Sequence, residues 1–325
     1  MRLKSKKGFI TVATGNYYCR LAINLLTSYR MFSNTDIPMY VMTDKNGEKL
    51  LKKHFDGVIV MDKPTYTTVD KMEVYFKTPF EETIFLDADM SITRDIRFMF
   101  NEFQRNGSPI SCIGSYRSFE EWGEPIHFGQ AAVEKYHLTG YLAFGGGVYY
   151  YRKGPEADNV FQFIFDELIP NYHQLDLHLF RTSQMADEPL MDVAMLVYGM
   201  NPLESKIDIM RFISRMMDTL SWDLEKKECH FTLRDGSVVS PAIVHYGTDN
   251  TYHKKYVYYN AIIRCKYRHL SALIPFAVCF DETVLLFRHI GTKSDRKAFY
   301  KWFKAHFTAE YWRHTGQKIK ALFKK

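Results

Sequence analysis

The amino-acid sequence predicts an α/β protein in which helices flank a doubly wound sheet. Strand-like and helix-like segments alternate from residue 8 onward, and the composition is that of a globular chain. Of its 325 residues, 46% are hydrophobic and 25% are charged, which excludes a disordered or fibrous protein. The longest apolar run, around residues 274–280, is well short of the ~20 residues that a membrane-spanning helix needs.

The alternation is clearest in the first ninety residues. Residues 8–14 are apolar and β-branched and end at Gly15 and Asn16, as expected of a buried strand followed by a turn. The next apolar residues have helical spacing: Tyr18, Leu21, Ala22, Leu25, Leu26 and Tyr29. Further strands are predicted at residues 38–42, 57–61 and 83–86, with helices at 46–53 and 70–76. Strands and helices in this order are typical of a doubly wound sheet.

Beyond residue 105 the pattern is looser. Strands are predicted at residues 110–113, 147–151 and 242–245, and helices around residues 161–168 and after Glu188, where Pro189 suits a first helical turn. No clean linker precedes residue 268. We therefore predict one catalytic domain, residues 1–267, and a basic, aromatic helical region, residues 268–325.

The N-terminus and the cysteines indicate the compartment. Residues 1–7 are basic, but the apolar stretch behind them is too short for a signal peptide. The five cysteines are odd in number and widely scattered, which fits neither a disulfide framework nor a zinc site. We expect a protein of the reducing cytoplasm, or one that faces it.

The strongest local signal is a pair of aspartates. Asp87 and Asp89, with Ala88 between them, follow the apolar strand at residues 83–86. The carboxyl ends of strands are where open α/β sheets bind ligands, and alternate residues of an extended backbone point the same way. Two such carboxylates suit a hard divalent ion that also holds a diphosphate. A plain turn is the alternative, since aspartate is common there.

Two enzyme classes place Asp-x-Asp at the end of a strand. In haloacid-dehalogenase-like phosphatases the first aspartate is a nucleophile, the motif lies near the N-terminus and an acidic pair follows later. Here 86 residues precede Asp87 and no Gly-Asp-x-x-x-Asp run follows it. The other class comprises metal-dependent nucleotide-sugar glycosyltransferases.

Residues 8–255 resemble glycosyltransferase family 8, which includes glycogenin and bacterial lipopolysaccharide galactosyl- and glucosyltransferases and has a GT-A fold. Residues 12–18 are similar to the family's opening strand and turn, which hold the uridine. The resemblance assigns Ala13 and Thr14 to this segment and places Tyr18 against the base. Lys71 stands 16 residues before Asp87, the spacing of the family lysine that faces the donor phosphates.

The metal ligands follow from the same resemblance. The segment from Asp87 through Ala88 to Asp89 matches the manganese-binding motif. Residues 244–247 resemble the segment that supplies the third ligand, which would be His245, although Gly247 comes one residue early. The phosphate lysine of this segment is either Lys254 or the next residue.

Two further segments resemble the family with one departure each. Residues 144–148 resemble Phe-Asn-x-Gly-Val, with Gly145 in place of asparagine and Gly146 and Gly147 after it. Asp187 and Glu188 match Asp-Gln, with glutamate in place of glutamine. The two departures, at Gly145 and Glu188, fall at positions that touch the sugar and the acceptor in the family. The resemblance assigns Asp187 and Glu188 as the catalytic residues, acting either as a nucleophile or by stabilising an oxocarbenium-like state.

Each assigned residue also has a purely structural interpretation. The glycines could mark a bulge or close backbone packing, and Asp187 could cap a helix. His245 could be a packed strand-end residue, Lys71 a solvated helix residue and Tyr18 part of an apolar helix face. The order and spacing of the motifs favour the functional interpretation over these alternatives.

The resemblance implies a retaining, metal-dependent hexosyltransferase. It would move glucose or galactose from a UDP-sugar, with Mn²⁺ or Mg²⁺, to a glycan, lipid-linked or protein acceptor. Two alternatives remain: a phosphatase-like hydrolase that uses Asp87 as nucleophile, and a nucleotide-binding or membrane-scaffold protein without transfer activity. The departures at Gly145 and Glu188 permit the latter.

The C-terminal residues carry the excess positive charge of the chain. The net charge is +6, whereas residues 288–325 contain eleven Lys or Arg against two acidic residues, a net charge of +9. Aromatic and histidine side chains recur there at helical spacing: Phe299, Trp302, Phe303, His306 and Phe307. This composition is typical of an interfacial anchor on anionic lipid, so we expect a peripheral protein on the inner face of a membrane. A helix packed on the domain is the main alternative, and no recognised motif indicates nucleic-acid binding.

Overall fold

The computed structural model describes residues 6–33, 36–123, 128–178 and 184–289. The chain divides into two compact units, residues 1–247 and 248–325. The proposed aromatic, basic helix around residues 299–323 lies outside the described residues. The predicted domain boundary, residue 267, is the last residue of the helix Lys254–Tyr267, which belongs to the second unit, whereas the first unit ends at residue 247.

The first unit alternates strands and helices before its elements become shorter. Its strands are β1 (Lys7–Ala13), β2 (Met39–Thr43), β3 (Gly57–Val60), β4 (Glu82–Leu86), β5 (Met90–Ile92), β6 (Ile110–Ser118), β7 (Gly140–Arg152), β8 (Met210–Phe212), β9 (Ser221–Asp223), β10 (Glu228–Thr232), β11 (Val238–Val239) and β12 (Ile243–His245). Its α-helices are α1 (Gly15–Phe32), α2 (Lys45–Leu51), α3 (Val74–Lys77), α4 (Phe98–Asn106), α5 (Phe119–Trp122), α6 (Gln130–Tyr136), α7 (Pro155–Phe163) and α8 (Asp187–Val197).

Six of the described strands form a central mixed sheet in the order β3-β2-β1-β4-β7-β6. The pairs among β1, β2, β3 and β4 are parallel, whereas β7 runs antiparallel to both β4 and β6. The carboxyl ends of the parallel strands therefore meet at one edge. Because β7 runs the other way, its central glycines pass beside the end of β4. The predicted mixed α/β sheet flanked by helices is confirmed.

A second, three-stranded sheet in the order β5-β12-β8 continues from this edge. Strand β5 starts just after the acidic pair, and it is antiparallel to β12, with Met90 opposite His245. Strand β12 is parallel to β8, with His245 opposite Phe212. This pairing places His245, which is near the end of the first unit, next to the acidic pair at the end of β4.

One predicted helix has a different structure. Residues 70–76 are split between a 3-10 helix, Thr68–Glu73, and the short helix α3. The Asp70 carboxylate accepts hydrogen bonds from the backbone N–H groups of Thr65 and Tyr66, at 2.8 and 3.0 Å. These bonds hold the preceding loop against the first turn and favour tight 3-10 winding.

The core between β7 and α8 contains a buried carboxyl group. Asp192 on α8 is fully buried, and its Oδ1 accepts a hydrogen bond of 2.8 Å from the Leu142 N–H of β7. Among the residues that the structure describes, none forms a hydrogen bond with its Oδ2. Burial raises the pKa of Asp192 well above its ordinary value, although the Leu142 N–H opposes this rise. The carboxyl group therefore holds its proton more tightly in the folded protein than in the unfolded chain.

Replacing Asp192 with asparagine should change how stability depends on pH. Because folding raises this pKa, the group adds no pH-dependent cost to folding below its unfolded-state pKa of about 3.9. Above that pH, the cost grows by about 1.4 kcal/mol per pH unit until the folded-state pKa is reached. The stability of Asp192→Asn relative to the wild type should therefore rise from pH 4 to pH 7. Urea unfolding across this range measures it, and parallel curves for the two proteins would contradict it.

The second unit contains α9 (Lys254–Tyr267) and α10 (Ile274–His289), which pack on each other. Arg264 of α9 forms an ion pair with Asp281 of α10. Phe276 and Phe280, four residues apart on α10, are 74% and 68% exposed. Within the described ranges, no helix is both long and apolar enough to cross a membrane.

Candidate active site

The acidic pair lies where β4 ends and β5 begins. The Asp87 N–H donates a hydrogen bond of 2.9 Å to the Gly147 carbonyl of β7, which fixes the backbone at the motif. Ala88 is buried, and Asp89 is only 7% exposed. The two carboxylates thus belong to a tight, largely buried turn between β4 and β5, and the pairing of both strands holds this turn at the sheet edge.

His245 completes a cluster with the two aspartates. Its Nε2 lies 3.2 Å from Asp89 Oδ1 and 3.7 Å from Asp87 Oδ2. One potential ligand atom from each of the three residues lies within 4.8 Å of the others, and among the described residues they are the only His, Cys, Asp or Glu cluster with this property. Two carboxylates and an imidazole form a donor set that suits Mn²⁺ or Zn²⁺.

The histidine of this cluster is electrostatically tied to the acids. Burial acts to lower the pKa of His245, but its hydrogen bond to Asp89 and the charges of Asp89 and Asp87 outweigh burial, so the pKa is raised. The charges of this cluster thus attract positive charge, in the form of either a proton or a metal ion.

Lys71 brings a cation to the other side of Asp87. Its Nζ lies 2.9 Å from Asp87 Oδ1 and 3.1 Å from Asp187 Oδ2 and donates to the Gly146 carbonyl at 3.3 Å. Burial would lower the pKa of Lys71, but the two carboxylates raise it, so the ammonium stays charged. Burial raises the pKa of Asp87 to about 6, despite the opposing effect of Lys71. Lys71 therefore joins the predicted metal ligands to the predicted catalytic carboxylates.

The two carboxylates at the start of α8 have different environments. Asp187 is 3% exposed, and its Oδ2 also accepts a hydrogen bond of 2.8 Å from the Tyr149 hydroxyl. The Asp187 N–H donates to the Thr68 hydroxyl at 3.2 Å. Glu188 Oε1 accepts a hydrogen bond of 2.7 Å from the Gly146 N–H. Both side chains are therefore anchored to β7, next to Lys71.

Close packing requires glycine at two of the three consecutive positions 145–147 of β7. A Cβ at Gly146 would lie 2.7 Å from Asp187 Oδ2 and 2.7 Å from Glu188 Cγ. A Cβ at Gly147 would lie 2.3 Å from Met90 Cε and 2.8 Å from His245 Nδ1. A Cβ at Gly145 would meet nothing within 4 Å. Glycine at positions 146 and 147 thus lets β7 pack closely against the side chains of Asp187, Glu188 and His245.

Replacing Gly147 with alanine is expected to weaken metal binding about tenfold, since the new methyl group must displace His245 or Met90. Overpacking should also lower the free energy of unfolding by about 1–3 kcal/mol. Titration calorimetry with Mn²⁺ and urea unfolding measure the two effects. Gly145→Ala is the matched control, with wild-type stability and Mn²⁺ affinity expected. Equal Mn²⁺ affinity in both variants would show that Gly147 does not position His245.

The segment that resembles the uridine site joins β1 to α1. Ala13 ends β1 and Thr14 is the extended residue before α1. Tyr18, on the first turn of α1, is 39% exposed, and its ring contacts that of Tyr17 edge-on at 5.5 Å. The structure thus gives Tyr18 an exposed position and not a core one.

Asp44, which the sequence reasoning missed, organises the same region. Its carboxylate accepts hydrogen bonds from the N–H groups of Gly15, Asn46 and Gly47 at 2.6–2.8 Å. Burial would raise the pKa of Asp44, but these N–H groups lower it. Its position directly before a helix is the N-cap signal that could have identified it.

The third segment, residues 244–247, has one residue with left-handed backbone. Gly247 has a φ of +68°, and a Cβ there would lie 2.7 Å from the Phe212 ring. Lys254 is the first residue of α9 and belongs to the second unit.

A cavity of about 920 Å³ opens beside the cluster. Glu188 and His245 line it together with Gly145 and Phe144 of β7, and the segment from residue 203 to residue 212 forms another part of its lining. The cavity is near the upper end of the usual size of small-molecule sites. The acidic cluster is therefore next to a space that can hold a ligand.

Comparisons with known proteins find similarity in structure only. No family model and no curated protein matches the sequence. The bifunctional glycosyltransferase WbbM is 12% identical, with a TM-score of 0.48, over 76% of this chain and 46% of its own, so this chain spans less than half of WbbM. The galactosyltransferase LgtC, solved with donor and acceptor sugar analogues, is 14% identical, with a TM-score of 0.48, over 82% of this chain and 95% of its own. Mouse xyloside xylosyltransferase 1 is 12% identical, with a TM-score of 0.45, over 75% of this chain and 98% of its own. All three of these solved structures are glycosyltransferases.

Proposed function

We propose that the protein is a metal-dependent, retaining glycosyltransferase that moves a hexose from a UDP-sugar to a glycan or glycolipid. The observation that carries the proposal is the cluster of Asp87, Asp89 and His245 at the carboxyl edge of the sheet, joined through Lys71 to Asp187. Its chemistry is that of a site for a divalent ion and an anionic ligand.

The metal would be held by Asp87, Asp89 and His245, and it would supply charge neutralisation to the diphosphate leaving group. Lys71 contributes a second, permanent positive charge close to the same position. Because the ammonium is fixed before substrate arrives, it can stabilise developing negative charge without reorganisation. Lys71 would thus face the donor phosphates, as the family resemblance implies, and in addition it pairs with Asp87.

The catalytic carboxylates act on the sugar side. Asp187 directs Oδ2 to Lys71 and Tyr149, and these two contacts fix the carboxylate in position. A fixed carboxylate stabilises positive charge that develops at an anomeric carbon. Glu188 is held by the Gly146 N–H and lines the cavity. It is therefore placed between the donor side and the cavity.

A donor screen tests this function. Purified protein with Mn²⁺ is incubated with UDP-glucose, UDP-galactose and other nucleotide sugars, and nucleotide release is measured. We expect UDP release from one hexose donor, abolished by EDTA, with retention at the anomeric carbon by NMR of the product. Phosphate release from phosphate esters without a sugar donor would instead favour the hydrolase, and no turnover of any donor would favour the nucleotide-binding scaffold.

We also propose that the C-terminal region attaches the enzyme peripherally to the cytoplasmic face of a membrane. Residues 288–325 carry a net charge of +9 and a helical series of aromatic residues. Phe276 and Phe280 on α10 add two strongly exposed apolar side chains before this segment. Basic charge next to exposed aromatic rings suits the surface of an anionic bilayer.

Deleting residues 288–325 should abolish sedimentation with phosphatidylserine vesicles while donor hydrolysis continues. Binding of the full chain should weaken with salt, since each basic residue contributes about 1 kcal/mol near such a surface and salt screens over ~10 Å. The aromatic residues should leave a component that salt does not remove. Vesicle binding that survives the deletion, or unfolding of the shortened chain, would place these residues in the folded core.

A further inference from the structure

An exposed aromatic ring lies directly against the acidic cluster. Phe212 is 49% exposed, although it is the residue opposite His245 in the pairing of β8 with β12. The two rings meet edge to face, with their centroids 5.2 Å apart and their planes at 75°. The half-exposed ring is thus placed next to a predicted metal ligand.

The backbone around Phe212 holds the ring in this position. The Ile213 N–H donates a hydrogen bond of 2.9 Å to the His245 carbonyl, which ties the end of β8 to β12. A side chain at Gly247 would collide with the Phe212 ring, and the left-handed φ of +68° also favours glycine there. The Phe212 ring therefore packs on the Gly247 backbone on one side, while about half of the surface of Phe212 stays exposed.

The open surface of Phe212 faces ligand space. Phe212 lines the cavity of about 920 Å³ together with Glu188, Arg211 and His245. A single exposed apolar side chain is ordinary on a protein surface, but one that lines a cavity next to a reactive cluster can bind a ligand. Because Glu188 and His245 line the cavity as well, a molecule on the Phe212 ring lies close to the proposed site of transfer.

We propose that this cavity is the acceptor subsite and that Phe212 is its platform, on which a pyranose ring of a saccharide acceptor stacks; the inference rests on the proposed function. A pyranose has a face of C–H groups that matches an aromatic ring and an edge of hydroxyl groups. The lining supplies groups for that edge, with Glu188 as a hydrogen-bond acceptor and Arg211 as a donor. Glu188 already accepts a hydrogen bond from the Gly146 N–H, and Arg211 forms an ion pair with Asp208. Saccharide hydroxyl groups can add hydrogen bonds to both side chains, whereas an apolar lipid tail would only remove water from them, which disfavours it as the occupant.

The kinetic test uses Phe212→Ala and Phe212→Trp with the donor that the wild type turns over and with lactose, maltose and methyl β-D-galactoside as acceptors. Phe212→Ala should raise the acceptor KM about tenfold or more, equivalent to about 1.4 kcal/mol. Its kcat at saturating acceptor, donor KM and Mn²⁺ requirement should stay near the wild-type values. Phe212→Trp should retain acceptor binding. Trp122→Ala is the control, since Trp122 is 57% exposed but does not line the cavity.

A binding measurement tests the subsite without turnover. Saturation-transfer difference NMR of the same three saccharides, with UDP and Mn²⁺ present, should show contact to ring C–H protons in the wild type and its loss in Phe212→Ala. Absence of saccharide binding to the wild type would overturn the subsite even if nucleotide release proves the transferase. Saccharide binding without turnover of any donor would support the subsite and refute the transferase. A rise in Mn²⁺ requirement with unchanged saccharide binding would make Phe212 a cover for His245 and overturn the proposal.

Discussion

Replacing Asp89 with asparagine is expected to lower sugar transfer by at least about a hundredfold and to leave the fold intact. The side chain lies 3.2 Å from His245 Nε2 and is one of three potential ligands. The amide keeps the shape of the carboxylate but removes its charge, so the cluster binds a divalent ion more weakly. The Tyr246 N–H bonds to the Asp89 backbone carbonyl at 3.1 Å, and this contact does not depend on the side chain.

The measurements are nucleotide release, Mn²⁺ titration calorimetry and circular dichroism. Asp166→Asn is the matched control, because Asp166 is exposed on the surface and the substitution removes the same charge. Loss of transfer in Asp89→Asn alone, with weaker Mn²⁺ binding and an unchanged spectrum, is the expected result. Transfer at the wild-type rate in Asp89→Asn, or in protein treated with EDTA, would refute the metal site.

The parts of the fold that were predictable from sequence are those with local signals. The strands β1 to β4 and the helix α1 have apolar periodicities that act within a few residues. The same holds for Asp87 and Asp89, because the end of a short apolar strand fixes their place. By contrast, β5 and β8 are only three residues long, too short to show a period, and their pairing partner β12 is distant in sequence.

The site itself depends on long-range pairing, which no local pattern encodes. His245 reaches Asp89 because β12 pairs with β5, about 150 residues earlier in the chain. The sequence indicated this histidine through the order of motifs and not through periodicity. Phe212 had no signal at all, since β8 is only three residues long. The glycines were ambiguous in sequence, and the structure separates the crowded positions 146 and 147 from the open position 145.

Lys71 shows where motif spacing and structure give different information. The spacing to Asp87 implied a lysine that faces the donor phosphates. In the structure, its Nζ lies between Asp87 and Asp187, so it links two halves of the site before any donor is present. This link predicts a stability effect in addition to a kinetic one.

Replacing Lys71 with methionine should destabilise the metal-free protein by about 3 kcal/mol, because it leaves two largely buried carboxylates without their cation. The side chains of Lys71, Asp87 and Asp187 are 12%, 17% and 4% exposed, so water replaces the lost charge poorly. Mn²⁺ should then raise the Tm of this variant more than that of the wild type, since a divalent ion at Asp87 restores positive charge. Sugar transfer should nevertheless stay low, because Asp187 keeps its hydrogen bond from Tyr149 but lacks a neighbouring cation. Lys77→Met, at an exposed position on α3, should show none of these effects in thermal unfolding with and without Mn²⁺. Equal Tm shifts by Mn²⁺ in the wild type and Lys71→Met would show that the ammonium and the metal do not share Asp87.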